Sequence, residues 1–509
     1  MKNILGRELP EYIEGYGKVT PYGTDIPKIY NIIGTSKNRS AGDKALSSIR
    51  EALIKSGIKD GMTISFHHHL RNGDYVLNKV LEEIDNLGIR DIKVAASSIF
   101  PIHAPMVNLI EKGVVTKIIT NYISGPVAKA VSNGKLKEPI VMMTHGGRPR
   151  AIESGDLKID IAFIAAPTCD DFGNINGVEG KSACGSLGYA VSDAMFADKV
   201  VAVTDNLVPY PACPIEISQI YVDYIVKIDE IGDPAGIVSG TTKITKNPIG
   251  LKIAKETVKV IKYSGLFKDG MSFQTGAGGT SLAVAKELKD LMIKENIRGS
   301  FASGGTTSYI VDMLNEGLFK YIMDVQCFDS AAVKSYKENK NHMGMSASLY
   351  GNPNTKGAVV DKLDVMILGA TEIDLNYNVN VTTGSDEVLM GGSGGHSDTA
   401  FGAKLSIVVT NLIKGRLPII KDRVTTVTTP GSSIDVLVTE RGISVNPRNQ
   451  DLIEKLKKSK INLVKIEDLK EIAENLTGKP KEIDQGNKII GVIEYRDGSV
   501  IDVIRRVDI

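Results

Sequence analysis

Short apolar runs alternate with segments of helical periodicity along most of the chain. Runs rich in valine, isoleucine and methionine occupy residues 141–143, 159–165 and 199–203, and later residues 359–369 and 424–438. Strands buried on both faces have nearly continuous apolar sequences of this kind. The pattern therefore predicts an α/β fold with mainly parallel open sheets and helices on both sides of each sheet.

One stretch of this pattern occurs twice. Residues 59–66, Lys-Asp-Gly-Met-Thr-Ile-Ser-Phe, are echoed by residues 268–273, Lys-Asp-Gly-Met-Ser-Phe, and a polar or glycine-rich loop follows each. Helical spacing of apolar residues comes next in both places, at Val76, Val80, Leu81, Ile84 and Leu87 and at Leu282, Ala285, Leu288 and Met292. We predict two homologous domains, at residues 1–240 and 248–447, joined near Gly240 to Asn247.

The C-terminal residues have a different pattern. Residues 451–459 and 467–476 have helical periodicity with lysines along one side, and residues 488–507 are typical of a hairpin that turns at Asp497-Gly498. We predict a small α+β tail at residues 448–509 that packs on the second domain. A docking element and an ordinary terminal cap are both compatible with this composition.

Composition narrows the class of protein. A chain of 509 residues is too long for one core, and 42% hydrophobic with 24% charged residues is ordinary for globular domains. The net charge of +1 and the lack of a long apolar segment favour a cytoplasmic protein that binds neither nucleic acid nor membrane. The cysteines form no CxxC pair, so we expect no metal site and no disulfide, and we expect all four to be buried or half-buried: Cys169, Cys184, Cys213 and Cys327.

A loop with four glycines in five residues, Gly391-Gly392-Ser393-Gly394-Gly395, precedes His396. Such a backbone can approach a ligand closely and point several N–H groups at one oxygen, which suits a phosphate or the oxyanion of an acyl group. A tight turn without a ligand is the alternative. In open parallel sheets ligands bind outside the carboxyl ends of the strands, where this loop is predicted to lie.

Charged side chains follow other predicted strands. His145, Arg148 and Arg150 come after residues 141–143, and guanidinium groups bind carboxylates in two-pronged fashion, so this segment is a candidate site for an acidic substrate. Surface arginines are the alternative. His67-His68-His69 cannot share one metal ion in an extended segment, because neighbouring side chains point to opposite faces. Asp170 and Asp171 are more typical of a turn than of a metal site.

Several motifs together resemble one family. Residues 170–174, 274–280, 372–376, 391–399 and 438–447 resemble the alpha subunits of citrate lyase, which belong to the CoA-transferase superfamily, and the resemblance runs from Gly6 to the C-terminus. It implies paired α/β domains with the active site between them. It also implies a citrate CoA-transferase, which moves the acyl-carrier thiol from an acetyl thioester to citrate.

The resemblance has one informative departure. Superfamily relatives that form a covalent thioester use a glutamate at the position that aligns with Tyr309. A phenol cannot form the anhydride and thioester that a carboxylate forms. We therefore expect citrate and the thioester to meet in one ternary complex and to react through a mixed anhydride.

The expected reaction suggests roles for individual residues. The N–H groups near Gly276, Gly278 and Gly279 and those of residues 391–395 would bind the CoA or carrier group and the oxyanion, with Gly278 and Gly279 catalytic. Arg148, Arg150, His145 and His396 would bind citrate. Glu372 would orient a substrate hydroxyl or the pantetheine arm, unless it is a buried structural carboxylate.

The expected co-substrate is acetyl-CoA or the phosphoribosyl-dephospho-CoA group of an acyl carrier, with no covalently bound cofactor. Expected partners are an acyl carrier (gamma) subunit, a lyase (beta) subunit and further copies of the chain. Two alternatives stay open: the alpha subunit of citramalate lyase or another CoA-transferase, and a non-catalytic nucleotide-binding scaffold. A complete phosphate-loop signature, which the scaffold would favour, is absent from the sequence.

Overall fold

The computed structural model describes residues 1–24, 44–238, 243–276, 278–480 and 485–507. Within them, the chain forms two large sheets flanked by helices. The first sheet has eight strands from the first half and two from the C-terminal tail, and the second sheet has eight strands from the second half. Gly240, at the predicted boundary between the halves, lies outside the described residues.

The first half begins with the strands β1 Tyr12–Ile13, β2 Gly17–Lys18, β3 Ala45–Leu46, β4 Thr63–Phe66, β5 Ile92–Ala96, β6 Val115–Thr120, β7 Ile140–Met142, β8 Ile161–Ala166, β9 Thr168–Asp170, β10 Ile175–Asn176, β11 Lys199–Thr204, β12 Leu207–Val208 and β13 Tyr224–Lys227. Its helices are α1 Ile49–Lys55, α2 Val76–Asn86, α3 Met106–Glu111, α4 Pro126–Ser132, α5 Gly147–Ser154 and α6 Ala190–Phe196.

The second half contains the strands β14 Phe273–Thr275, β15 Gly299–Thr306, β16 Phe319–Cys327, β17 His342–Gly344, β18 Val365–Leu368, β19 Glu372–Asp374, β20 Val379–Asn380, β21 Leu405–Val409, β22 Ile413–Lys414, β23 Leu417–Pro418, β24 Ile420–Lys421, β25 Val436–Thr439 and β26 Gly442–Val445. Its helices are α7 Pro248–Tyr263, α8 Gly279–Glu295, α9 Ser308–Asn315, α10 Ser330–Glu338, α11 Ala347–Gly351 and α12 His396–Gly402. The tail follows with α13 Gln450–Lys458, α14 Ile466–Thr477, β27 Gln485–Glu494 and β28 Val500–Val507.

The two large sheets share one strand order. The first runs β28-β27-β7-β6-β5-β4-β8-β11-β13-β3 and the second β17-β16-β15-β14-β18-β21-β25-β26. If the strands of the two large sheets are numbered in chain order from β4 and from β14, both sheets contain the order 4-3-2-1-5-6-7. Neighbouring strands within this order are parallel in both sheets. The predicted α/β class with two homologous, mainly parallel open sheets is confirmed.

This order fixes where each sheet can bind a ligand. The chain reverses its direction of growth between β4 and β8, and again between β14 and β18. Ligands in open α/β sheets bind at such switch points, outside the carboxyl ends of the strands. The loops that begin at His67 and at Gly276 lie at these two points.

The prediction for the tail is wrong in one part. The helices do pack on the second half, since Leu452 and Leu456 of α13 and Leu469 of α14 are buried in its cores. The hairpin instead joins the first sheet, where β27 pairs in parallel with β7. An open strand edge carries unpaired N–H and C=O groups, and pairing with the hairpin satisfies those of β7.

Two smaller expectations hold only in part. Residues 424–438 are expected to supply strand, and Val436–Thr439 does pair with the large sheet, but the residues before Val436 form no strand of that sheet. The N–H groups of Thr425 and Val427 donate instead to the carboxylates of Glu372 and Asp502, at 2.9 and 2.8 Å. Cys213 is exposed, while the other three cysteines are buried as expected. None of the described helices is both long enough and apolar enough to cross a membrane.

Candidate functional site

Loops at the carboxyl ends of the two large sheets contact each other, and we call the region between these loops the cleft. The side chain of Gln326, at the end of β16, donates to the carbonyl of His68, after β4, at 2.8 Å. The backbone N–H of His145, after β7, donates to the carbonyl of Gly394 at 2.8 Å. These contacts join the loops of one half to the loops of the other, so groups from both halves surround one site.

The glycine-rich loop forms the tightest part of this junction. Gly391 and Gly392 donate to carbonyls of the segment that precedes the loop, at 3.1 Å each, and Gly394 donates to the carbonyl of Asn121 at 3.2 Å. A Cβ on Gly392 would lie 2.2 Å from that same Asn121 oxygen. Glycine is thus required here for the close approach of the halves, and these three N–H groups already have acceptors.

Ser393 and Gly395 of this loop also contact other groups of the protein. Ser393 is buried, and its hydroxyl donates to that of Ser397 at 3.1 Å. A Cβ on Gly395 would lie 2.3 Å from the hydroxyl oxygen of Tyr350. The loop therefore forms a wall of the cleft that packs against both halves.

Two buried carboxylates hold the start of α5, which enters the cleft after His145. Asp193 of α6 binds Arg148 in two-pronged fashion, at 2.7 and 2.9 Å. Asp398 of α12 accepts from the N–H of Gly146 at 2.8 Å and from the hydroxyl of Thr144 at 2.9 Å. His145 is fixed between these anchors, one from each half.

Three rings pack together beside His145. The ring centroids of His145 and Tyr189 lie 4.5 Å apart, those of His68 and Tyr189 also 4.5 Å, and those of His68 and His145 5.7 Å. Burial, aided by nearby arginines, lowers the pKa of His145 to about 3 and lowers the pKa of His68 far below its ordinary value. Both imidazoles are neutral at physiological pH, so they add hydrogen-bonding atoms to the site without adding charge.

His67 and His69 lie on the other side of the same segment, as strand alternation predicts. Their Nδ1 atoms face each other, and the N–H of Tyr189 donates to Nε2 of His69 at 3.2 Å. Burial lowers the pKa of both, to about 4 for His67. His68, by contrast, accepts from or donates to Ser97 Oγ at 2.6 Å and faces the cleft rings.

Several buried polar atoms near the carboxyl ends of strands have no hydrogen-bond partner among the described residues. They are Asn121 Oδ1, His145 Nδ1, Gln274 Oε1, Ser303 Oγ and Thr307 Oγ1. Buried polar atoms in folded proteins are nearly always satisfied, so a group of unsatisfied ones marks a place for a polar ligand. Gln274 connects these atoms to the glycine wall, because its amide donates to Tyr350 Oη at 2.8 Å.

Arg71 lies in a short 3₁₀ turn directly after the histidines. Its guanidinium carbon is 5.5 Å from the ring centroid of Phe100 in the first half and 4.6 Å from that of Phe328 in the second. Among the described residues no side-chain acceptor forms an ion pair or hydrogen bond with it. Burial lowers its pKa, and its backbone has φ = +51°, a conformation that non-glycine residues rarely adopt.

The other predicted acid-binding residues have partners within the protein. Arg150 pairs with Asp156 at 2.6 Å and lines a separate cavity of about 780 Å³ behind α5. Both ring nitrogens of His396 are engaged, by Thr429 Oγ1 at 2.7 Å and by the carbonyl of Gly369 at 2.9 Å. Burial lowers the pKa of His396 to about 4. Of the four residues predicted to bind citrate, His145 keeps an unpartnered Nδ1, and the two arginines keep only an unpartnered Nε because their terminal nitrogens bind carboxylates of the protein.

Glu372 is fully enclosed. Its carboxylate accepts from Ser385 Oγ at 2.6 Å, from the N–H of Thr425 at 2.9 Å and from Asn380 Nδ2 at 3.1 Å. Lys421 Nζ is 3.8 Å away. This environment matches the alternative of a buried structural carboxylate.

The remaining predicted positions lie at the carboxyl edge of the second sheet. Gly276 follows β14 and donates to the carbonyl of Ile367 at 3.0 Å, and Gly278 and Gly279 open the long helix α8. A helix N terminus presents free N–H groups and a positive dipole end, which favour anions. Tyr309 is half-buried in the first turn of α9, directly after β15.

One buried group of described residues has metal-ligand chemistry. Cys327 Sγ and His342 Nε2 each lie 3.1 Å from Asp324 Oδ2. His342 Nδ1 is 3.0 Å from Ser335 Oγ, so all three side chains are satisfied by hydrogen bonds. The predicted absence of a metal site stays a prediction.

Comparison with known proteins identifies the family. The family described as "Citrate lyase, alpha subunit (CitF)" matches residues 42–507. The chain belongs to this family. The citrate lyase alpha chain of Haemophilus influenzae is 49% identical over 482 residues, which cover 95% of this chain and 96% of the relative. That of Escherichia coli is 49% identical over 474 residues, or 93% of each.

Solved structures agree with this family. A chain described as the alpha subunit of citrate lyase from Streptococcus mutans, in complex with citrate, matches with a TM-score of 0.96, 49% identity and 100% of both chains covered. A malonate decarboxylase alpha subunit from Acinetobacter baumannii matches with a TM-score of 0.64 at 16% identity, over 86% of this chain and 93% of that one. The latter shows the shared fold. The resemblance predicted from the sequence is confirmed.

Sequence reasoning missed several groups in the cleft. Arg71 and Gln274 each come shortly after a repeated apolar stretch, so their position at the carboxyl edge was a usable signal. Asn121 follows β6, a strand that was not predicted. Ser303 and Thr307 carry no such signal, because small hydroxyl residues are common in strands and helix caps.

Proposed function

We propose that this chain is the citrate CoA-transferase component of a citrate lyase, and that it transfers an acyl-carrier thiol from an acetyl thioester to citrate. Family membership over residues 42–507 supports the reaction class. The Streptococcus mutans relative, which is described in complex with citrate, supports citrate over other acids. The cleft between the halves is the proposed site.

The observation that carries the route is the side chain at position 309. Tyr309 stands at the carboxyl end of β15, at the entrance of α9, where covalent relatives are predicted to carry a glutamate. Without a carboxylate there, no enzyme anhydride or thioester can form at this position. Citrate itself must then act as the nucleophile, in a ternary complex with the thioester.

The proposed chemistry has two steps. A carboxylate oxygen of citrate attacks the acetyl carbonyl, the C–S bond breaks, and the products are an acetyl–citryl anhydride and a thiolate. The thiolate attacks the citryl carbonyl, the anhydride C–O bond breaks, and acetate leaves with the electron pair. Neither step consumes or releases a proton, so the route requires no general acid or base.

The cleft suits this route because its buried imidazoles are neutral. His68 and His145 can hydrogen-bond a hydroxyl or carboxylate through atoms such as the unpartnered Nδ1 of His145. The positive N terminus of α8, at Gly278 and Gly279, is the proposed site for oxyanion or phosphate oxygens. Tyr189 and the glycine wall would shield the anhydride from water.

The test is a transfer assay with the purified chain. Acetyl-CoA and citrate should give citryl-CoA and acetate, detected by mass spectrometry, with sequential kinetics. A covalent acyl- or CoA-enzyme adduct after incubation with acetyl-CoA alone would contradict the ternary route. Faster transfer to citramalate or malonate than to citrate would assign the chain to a different acid, and tight ADP or NAD binding without transfer would favour a scaffold.

The complex is part of the same proposal. The relatives are named alpha chains, which implies other subunits. We propose an acyl carrier subunit bearing a phosphoribosyl-dephospho-CoA group, a lyase subunit and further copies of this chain.

Exposed Lys457 and Lys458 of α13 are candidates for binding the acidic carrier. The double substitution K457E and K458E should weaken carrier binding while sparing transfer to free acetyl-CoA. Four free cysteines support a cytoplasmic location.

A further inference from the structure

The cleft contains a guanidinium group whose charge is not balanced by a protein carboxylate. Arg71 is half-buried, and none of the described residues forms an ion pair with it. Its guanidinium lies against Phe100 from one half and Phe328 from the other. Cation–π contacts of this kind attract the charge without using the N–H donors of the guanidinium.

The two arginines of α5 differ from Arg71 in this respect. Arg148 is 2% exposed and its fork is filled by the two carboxylate oxygens of Asp193. Arg150 is paired with Asp156. A partly desolvated guanidinium without an anion is costly to maintain, and a structure that keeps one has a use for it when the anion arrives.

The backbone supports the same interpretation. Arg71 has φ = +51°, a left-handed conformation that is unfavourable for a residue with a Cβ. The turn that imposes it, Arg71–Gly73, packs against the segment Pro234–Ile237, since a Cβ on Gly73 would lie 2.0 Å from the carbonyl oxygen of Asp233. Neighbouring structure thus holds Arg71 in a strained backbone conformation, and its side chain contacts both phenylalanines.

Of the groups around the cleft, Arg71 and not a histidine is suited to bind an anion. His68 and His145 are neutral, and the unpartnered oxygen of Asn121 and nitrogen of His145 are suited to a hydroxyl group. A carboxylate that is bound by a guanidinium is a weaker nucleophile, because the positive charge stabilises its lone pairs. The carboxylate held by Arg71 is therefore a different one from the carboxylate that attacks the thioester.

Resting on the proposed function, we propose that Arg71 binds a non-reacting carboxylate of the acceptor acid through both prongs of its guanidinium. Arg71 then restricts acceptors to acids that carry a second carboxylate. It aims the remaining carboxylate at the thioester by holding the far end of the molecule.

The experiment compares R71Q and R71K with wild type, and uses R90Q as the matched control. Arg90 is also half-buried in the first half, but it lies before β5, at the opposite edge of the sheet, and pairs with Asp85. Citrate binding is measured by calorimetry, and KM for citrate and for acetyl-CoA by the transfer assay. Losing a charge-assisted pair should raise the citrate Kd and KM of R71Q by about 10- to 100-fold.

The variants separate charge from geometry. R71K keeps the charge without the two-pronged fork, so its citrate KM should fall between those of wild type and R71Q. KM for acetyl-CoA should stay within about two-fold of wild type in both, because the thioester makes no contact with Arg71 in this proposal. R90Q should match wild type in both constants.

Each result bears on one hypothesis. Citrate affinity within two-fold of wild type in R71Q, or a KM increase confined to acetyl-CoA, overturns the role of Arg71 and leaves the transferase intact. Wild-type protein that binds citrate through Arg71 but makes no citryl thioester overturns the transferase and keeps the role. If R71Q misfolds by circular dichroism, R71K decides, since unchanged citrate binding by a folded R71K contradicts the two-pronged contact.

Discussion

The two halves of the molecule share a strand order but differ in what their loops carry. At the switch point of the first half, the loop after β4 holds three histidines and Arg71. At the same point of the second half, β14 ends with Gln274 and Thr275, and the loop after it holds Gly276 and the glycines that open α8. A duplicated scaffold has thus placed aromatic and cationic side chains on one wall of the cleft and amide and backbone groups on the other.

Smaller features are repeated as well. Each half has a three-stranded sheet, β10-β9-β12 or β20-β19-β24, built from one antiparallel and one parallel pair. Asp170 and Asp374 close equivalent turns: each accepts from the N–H groups two and four residues later, at 2.9–3.0 Å. The turn that resembled a metal site is therefore structural in both halves.

The helix carboxylates show how the repeat was used asymmetrically. Asp193 and Asp398 both follow a serine near the start of a short helix that follows a glycine. Asp193 binds Arg148 within its own half, whereas Asp398 reaches across to Gly146 and Thr144 of the other half. One carboxylate stabilises a domain and its counterpart joins two domains, so equivalent positions should respond differently to the same substitution.

The largest expected effect is that of Asp193→Ala. It leaves the guanidinium of Arg148 buried without a counter-charge, which should reduce the free energy of unfolding by about 3–5 kcal/mol. Asp398→Ala removes two hydrogen bonds and a weaker contact with Arg496 at 3.5 Å, so its cost should be about 1–3 kcal/mol. Urea unfolding followed by circular dichroism measures both.

The control for this pair is Asp198→Ala. Asp198 forms an exposed ion pair with Lys158 at 2.8 Å, so its loss should cost less than about 1 kcal/mol. Equal losses in the free energy of unfolding for Asp193→Ala and Asp398→Ala would show that the two carboxylates stabilise the protein equally. That result would contradict the asymmetry described above.

The next effect concerns the junction between the halves. Gly392→Ala places a Cβ 2.2 Å from the carbonyl oxygen of Asn121, so the halves must move apart at the cleft. A displacement of this size should lower the transfer rate by about 10- to 100-fold, because positioning supplies the catalysis. Gly357→Ala is the control, since a Cβ there meets nothing within 4 Å. Normal turnover by Gly392→Ala would mean that the junction does not set the geometry of the site.

The repeat could be predicted from sequence because its signal is long. Apolar strands and the amphipathic segment at Val76–Asn86 give patterns over many residues, and the structure confirms them. The small sheets gave no pattern, since β10 and β20 have two residues each. The hairpin was predicted but its partner was not, because an open edge such as that of β7 is a property of the folded sheet.

The candidate site was less predictable for a related reason. Arginine in a loop signals carboxylate binding, but whether its fork is free depends on groups far along the chain. Asp193 is 45 residues from Arg148, and no local pattern connects them. Arg71 lies in a loop of the recognised repeat, but its guanidinium contacts Phe328, which belongs to the other half. The environment of this guanidinium could therefore not be predicted from the residues near it in the sequence.

The smallest expected effect compares the two turn carboxylates as pH changes. Burial raises the pKa of Asp170, but hydrogen bonds led by the N–H of Ala212 outweigh burial and leave it below its ordinary value. At Asp374 burial outweighs similar hydrogen bonds and raises the pKa. A lowered folded pKa contributes stability above the unfolded pKa that is lost as pH falls through the folded value. A raised folded pKa contributes stability at acid pH that is lost as pH rises through the folded value.

Asp170→Asn should therefore cost about 1 kcal/mol at pH 7 and less in acid, while Asp374→Asn should cost less at pH 7 than Asp170→Asn. Unfolding midpoints at pH 7 and at pH values near the carboxylate pKa would measure this, and parallel pH profiles would show that the turns are equivalent in energy as well as in form.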